Sequence, residues 1–146
     1  MPGKISIFAF ASKKYEKMTK LKAGDQAPPF KAVDQYGKSI SLADYKGKKL
    51  ILYFYPKDNT PGCNAEACNL RDNHDVLLEK GYDVVGVSAD NKKSHMKFTE
   101  KFELPFRLIP DTEKEVINAY GVWGPKKFMG REYDGIHRTT FLIDEE

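Results

Sequence analysis

A chain of 146 residues, 40% hydrophobic and 12% aromatic, has the make-up of a single globular domain able to bury its own core. Its net charge of +3 comes from lysines spread along the chain without a basic-aromatic cluster, which argues against nucleic-acid binding, and no apolar run approaches the ~20 residues of a membrane span. Two cysteines are too few for a disulfide-built scaffold and fit a reducing, cytoplasmic setting.

Residues 1–20 differ from the rest. Ile5-Ser6-Ile7-Phe8-Ala9-Phe10-Ala11 is a short apolar run behind Lys4 with an Ala-x-Ala ending. A signal peptide would look somewhat like this, at the lower length limit. A transit peptide is a second reading, since no acidic residue precedes Glu16; an upstream extension or misassigned start over residues 1–17 is a third, and a genuine extra element a fourth. The chain therefore divides into an N-terminal extension, 1–20, and a domain, 21–146. Residues 24–29 form a turn-rich lead-in. Residues 30–33 and 39–42 flank Asp34-Gln35-Tyr36-Gly37, a hairpin turn in which Gly37 supplies a positive φ. A short helical turn or loop covers residues 42–48.

Leu50-Ile51-Leu52-Tyr53-Phe54-Tyr55 is apolar, β-branched and aromatic, as in a strand buried on both faces. Pro56 to Gly62 make a proline-bracketed turn, and a helix over residues 63–80 follows, with Pro61 at its start and Gly81 as its stop. Cys63 then lies in the first helical turn at the end of a central strand, where an α/β sheet presents its site. The free N–H groups and the helix dipole favour a thiolate there, which is the nucleophilic form and the one peroxides oxidise. The competing reading is a buried structural cysteine. Cys68 stands five residues on. In a helix, ~100° and ~1.5 Å per residue put the two Cα atoms roughly 8–9 Å apart, beyond the about 7 Å that a disulfide allows. If the pair bridges, the helix must unwind over that turn. This geometry suits a redox switch better than a static staple, with two unrelated thiols as the other reading.

Ala67, Leu70, His74, Leu77 and Leu78 recur at helical spacing and pack on the sheet, with His74 read as a core or boundary residue. Residues 83–88 form the next strand. A helix around residues 91–102 carries Met96, Phe98 and Phe102, and a third strand covers 106–109. Asp111 caps a helix over 112–120 that Gly121 ends. Residues 121–130 read as an aromatic loop whose role is packing of Trp123, with partner contact as the other reading. The last strand, 138–143, alternates Arg138, Thr140 and Leu142 on one face with Thr139, Phe141 and Ile143 on the other. Strands alternating with helices imply a largely parallel α/β sheet.

The run from Tyr53 to Cys63, with Ala67-Cys68 and Leu70-Arg71-Asp72 after it, resembles the peroxiredoxin Q, or bacterioferritin comigratory protein, group of peroxiredoxins. The family pattern Pro-x-x-x-Thr-x-x-Cys is met by Pro56, Thr60 and Cys63, and the spacing to Cys68 is that of the group. The resemblance spans roughly residues 21–144, and residues 18–25 resemble the natural start of bacterial members. It implies a thioredoxin-like fold and a thiol peroxidase acting on hydrogen peroxide and small organic hydroperoxides. Cys63 would be the peroxidatic thiol and Cys68 the resolving one. Thr60 would bond the reacting oxygens, Pro56 would shield the pocket, and thioredoxin or a similar dithiol would restore the enzyme. Arg138 falls on the family's active-site arginine. For it to lie near Cys63, its strand must run antiparallel to residues 50–55. The resemblance calls for no metal or organic cofactor, no nucleic acid and no membrane, and for a monomer or weak dimer.

Family members continue past the equivalent of Glu146 with a turn, a strand and a helix. The expectation from this chain is that 138–143 forms an exposed edge and one face of the sheet is uncovered, with reduced stability, self-association through that edge, or a chain shorter than the gene product. Two rivals remain: a metal module using Cys63, Cys68 and one of His74, His95 and His137, and a non-catalytic redox sensor or chaperone-like binder using the same switch.

Overall fold

The computed structural model describes residues 5–8, 21 and 23–145. In chain order the elements are β1 (Ile5–Phe8), β2 (Lys31–Val33), β3 (Ser39–Ser41), a 3-10 turn (Leu42–Tyr45), β4 (Lys49–Phe54), α1 (Pro61–Asp72), α2 (His74–Glu79), β5 (Tyr82–Ser88), α3 (Lys92–Phe102), β6 (Arg107–Pro110), α4 (Glu115–Ala119), β7 (Trp123–Phe128), β8 (Arg131–Ile136) and β9 (Thr139–Ile143). Five strands make one mixed sheet in the order β1-β9-β4-β5-β6, with β4, β5 and β6 parallel and β9 antiparallel to β4. This is an α/β fold of the kind the alternating pattern anticipates, and the direction of β9 is the one Arg138 requires.

The alternation of side chains in a strand sorts the central sheet into two cores. Leu50, Leu52 and Phe54 of β4 face one side with Val85, Val87, Phe141 and Ile143. The β2–β3 hairpin and α4 cover that side through Ile40, Val116 and Ile117. Ile51 and Tyr53 face the other side with Val84 and Leu142, under α1 and α3, and this second core contains Cys63, Ala67 and Phe98. The odd-even split predicted for the last strand holds.

Several expectations change. The helix foreseen over 63–80 is two helices that break at Asn73, whose backbone sits at φ −104, ψ 5. The Asn73 Nδ2 donates to the carbonyl and the side-chain oxygen of Asn69, both at 2.9 Å, and such local bonds compete with helix continuation. Leu78 is 47% exposed, so the packed face ends at Leu77. The helix expected over 112–120 is confined to α4 because Lys114 takes a left-handed conformation, φ 60. Lys114, not Asp111, is the N-cap residue of this shorter helix, and Asp111 reaches it from three residues upstream, its Oδ2 accepting the Ile117 N–H at 2.8 Å. The loop expected over 121–130 is a hairpin, β7–β8, turning on Met129 (φ 51) and Gly130 (φ 79), a pair of positive φ values that fits tight hairpin turns. Trp123 packs as expected, partly buried against the first core, with the Lys114 Nζ 4.8 Å from its ring centroid.

The largest correction concerns the last strand. It is not an edge: β1 pairs with it antiparallel, from Ile5 opposite Ile143 to Phe8 opposite Thr140, so β9 has a neighbour on both sides. Ile5–Phe8, the start of the run that resembles a leader, is a strand of the main sheet. The rest of that run lies outside the described residues. Among the described residues no helix is long and apolar enough to cross a membrane.

Candidate active site

The site is built where β4 gives way to α1. The Tyr55 N–H donates to the Val87 carbonyl at 3.1 Å and carries the pairing one residue past β4. The chain then turns through Pro56–Thr60 into the helix. Thr60 is the N-cap residue, with extended backbone (φ −115, ψ 153), and Pro61 occupies the first helical position. The Thr60 carbonyl accepts the Asn64 N–H at 2.8 Å, closing the first turn. Cys63 is therefore the third helical residue, and its N–H is one of the donors that a helix start leaves without an intrahelical partner.

Cys63 is 2% exposed, walled in by the second core. Arg138 reaches it from the residue before β9, its Nη2 donating to Sγ at 3.1 Å. The other arm, Nη1, donates to Oε1 of Glu66 at 2.8 Å. Burial works against the Arg138 charge, but the hydrogen bond and charge of Cys63, reinforced by Glu66, outweigh it and hold the guanidinium more firmly protonated than a free arginine. Burial raises the Glu66 carboxyl above the ordinary range, and Arg138 counters only part of that. Nothing in the sequence pattern singles out Glu66 beyond its place three residues after Cys63, one helical turn along the same face.

Two further groups act on this corner. The Tyr53 hydroxyl is buried with no hydrogen-bond partner. Burial drives its ionisation far above the usual value, and the nearby charges of Glu66, Cys63 and Asp58 push the same way. Lys126 of β7 donates from Nζ to the Ile136 carbonyl at 2.9 Å. Burial and Arg138 depress its pKa, while Cys63 works in the opposite sense, so a second cation lies within electrostatic reach of the sulfur. Gly62 sits so close that a Cβ there would lie 3.2 Å from Arg138 Nη2. A groove of about 460 Å³ opens beside the guanidinium, lined by Gly62, Ala65, Glu66, Leu70 and Thr140 among others.

The other sequence candidates are placed as follows. The Thr60 Oγ1 donates to the Lys57 carbonyl at 2.9 Å, so that hydroxyl is left to act toward a substrate as an acceptor. Pro56 is half-buried where β4 ends. Cys68 is half-buried on α1, and both cysteines are free thiols. His74 is a boundary residue: it is buried, its ring 6.2 Å from that of Phe106 and its Nε2 4.0 Å from Asp83. Among the described residues, the acidic and imidazole groups that converge are Asp58, Asp90 and His95, and neither cysteine belongs to that group. The Cys-His metal module is thus not assembled.

Residues 23–146 match the model of the AhpC/TSA family. The chain is 50% identical over 129 residues to peroxiredoxin Bcp of Escherichia coli K12, covering 88% of this chain and 83% of that protein. It is 48% identical over 126 residues to peroxiredoxin Bcp of Bacillus subtilis 168, covering 86% and 80%. Among solved structures it is similar to the bacterioferritin comigratory protein of Xanthomonas campestris, with a TM-score of 0.77 and 32% identity over 82% of this chain and 76% of that one. That protein's structures concern its alkyl peroxide reduction activity.

Proposed function

This chain belongs to the AhpC/TSA family as a peroxiredoxin of the Bcp group, and on that premise we propose that it reduces hydrogen peroxide and small organic hydroperoxides through Cys63 and is returned to its starting state by a thioredoxin-type dithiol. The observation that carries the reading is the 3.1 Å contact between Arg138 Nη2 and the Cys63 sulfur. A fixed cation beside a thiol at a helix start stabilises the thiolate, and the same donor can follow the charge onto the peroxide as the O–O bond lengthens.

In the first step the Cys63 thiolate attacks one peroxide oxygen. An S–O bond forms and the O–O bond breaks. The leaving oxygen departs as water or an alcohol once it has gained a proton, and Cys63 becomes a sulfenic acid. Thr60 accepts a hydrogen bond from the bound peroxide, the Cys63 N–H donates one, and Pro56 keeps bulk water away. In the second step the Cys68 thiolate attacks the sulfenic sulfur, giving a disulfide and water. Both thiols lie on α1, five residues apart, so this step requires the first turns of that helix to unwind. An external dithiol then reduces the disulfide by exchange.

The test is peroxide consumption coupled to thioredoxin and its reductase. Wild type is expected to cycle, and Cys63→Ser to consume no peroxide. Cys68→Ser is expected to react once and then stall. A wild-type protein that accepts a single oxidation and never cycles would be a sensor and would end the peroxidase reading.

A further inference from the structure

The loop that delivers Pro56, Thr60 and Cys63 has neither strand nor helix to hold it, and yet one of its residues is bound more densely than any part of the site. Asp58 is buried. Its N–H donates to Asp90 Oδ2 at 2.8 Å, beyond the end of β5. Its Oδ1 accepts the Tyr55 hydroxyl at 2.6 Å. Its Oδ2 accepts the Ser94 hydroxyl at 2.8 Å and lies 2.6 Å from His95 Nδ1, both on α3. The other nitrogen of His95, Nε2, lies 3.0 Å from the Ile109 carbonyl of β6, and the imidazole is fully buried.

Counting donors fixes the hydrogens. The Ile109 carbonyl can only accept, so Nε2 carries a hydrogen. Asp58 Oδ2 faces Nδ1 across 2.6 Å, and this gap needs a proton in it. A hydrogen therefore lies between the two side chains in a buried bond. These polar atoms are engaged with one another.

We propose that His95 is a positioning residue for the reaction at Cys63: held by both ring nitrogens, it clamps Asp58 and thereby keeps the loop of residues 56–60 in the form that receives peroxide. Asp58 lies two residues from both Pro56 and Thr60 and five from Cys63. A second tie runs the same way, from Lys101 Nζ on α3 to Asn59 Oδ1 at 3.1 Å. The clamp acts on the two chemical steps in opposite senses. It favours the peroxide step, which needs the loop in place, and opposes the disulfide step, which needs the first turn to let go. This rests on the peroxidase reading above.

The test compares His95→Asn, which keeps an N–H toward Asp58, with His95→Gln, which keeps one toward Ile109 and gives up Asp58. Single-turnover quench with mass spectrometry separates sulfenic acid formation, disulfide formation and over-oxidation to sulfinic acid. H95Q is expected to slow the peroxide step about tenfold, the scale of a lost hydrogen bond to a charged group, without slowing disulfide formation, and to over-oxidise less. H95N is expected to recover most of the peroxide rate. Equal peroxide rates in the two variants, or a wild-type rate in H95Q, would overturn the proposal. Should H95Q not fold, Tyr55→Phe and Ser94→Ala each delete one donor to Asp58 at little change in volume. Each is expected to slow the peroxide step severalfold, and wild-type rates in both would overturn it. Amide exchange of residues 57–63 is read in parallel and needs no peroxide chemistry. Faster exchange in H95Q but not H95N supports the clamp and unchanged exchange refutes it, even if the wild type proves not to be a peroxidase.

Discussion

Arg138 divides its N–H groups between the Cys63 sulfur and the Glu66 carboxylate, and on its Gly62 side the room is small. Gly62 leaves that room open. An alanine there favours a helix start by about 0.5–1 kcal/mol, but its Cβ would press the guanidinium at 3.2 Å. Gly62→Ala is therefore expected to keep or raise the melting temperature while the second-order rate with peroxide falls severalfold, measured by stopped flow. Tyr53 presents the opposite case. Its hydroxyl is buried without a partner, so the fold carries the desolvation cost of that group. Tyr53→Phe keeps the ring that packs against Tyr55 and Phe106, and urea unfolding is expected to show it equal to wild type or more stable by up to about 1 kcal/mol. A loss beyond that would mean the hydroxyl has a partner through water.

At the scale of the element, the β2–β3 hairpin is pinned by one carboxylate. Asp34 accepts the N–H groups of Tyr36 and Lys38 and a 2.7 Å bond from Arg107 of β6. Burial raises its pKa, but those bonds and the Arg107 charge outweigh burial and leave it below the ordinary 3.8. A depressed carboxyl stabilises the fold above its unfolded value, and that stabilisation disappears as pH falls through the folded one. Asp34→Asn is thus expected to be less stable than wild type near neutrality by about 1–3 kcal/mol, with the gap closing below pH 3.8; thermal melts across that range check it. The hairpin was legible because Asp34-Gln35-Tyr36-Gly37 announces its own turn, and β4 because five consecutive residues, from Leu50 to Phe54, are buried. Cys63 and Arg138 were legible through motif and strand direction. The β7–β8 hairpin was not, because Arg131 to Asp134 are exposed throughout and Gly124, Pro125 and Gly135 interrupt any alternation. Glu66 is one acidic residue among many in the sequence, and only its place against Arg138 sets it apart. Asn73 carries no marker in the apolar pattern, since its effect runs through a side-chain bond to Asn69.

For the molecule as a whole, β9 joins the reaction site to the far side of the sheet. One end leads from Arg138, and Thr140 to Ile143 are zipped between β4 and β1. No local signal joins Ile5–Phe8 to a strand at the other end of the chain, so an exposed edge was the natural reading of residues 138–143. Deleting residues 1–8 recreates that edge. The shortened protein is expected to melt lower and to self-associate in sedimentation velocity, as unpaired edges do. An unchanged melt with no association would mean that the β1 pairing contributes little.

The break at Asn73 sets a limit on how far any disturbance of the first helix can spread. On the proposed cycle, Cys68 reaches Cys63 only if α1 lets go of part of its own length. Leu77 and His74 lie beyond the break, Leu77 packed against the second core and His74 buried. Each oxidation would then loosen a flap hinged at residue 73 rather than strip one side of the protein bare, and after reduction the flap would close onto a surface that had never come apart.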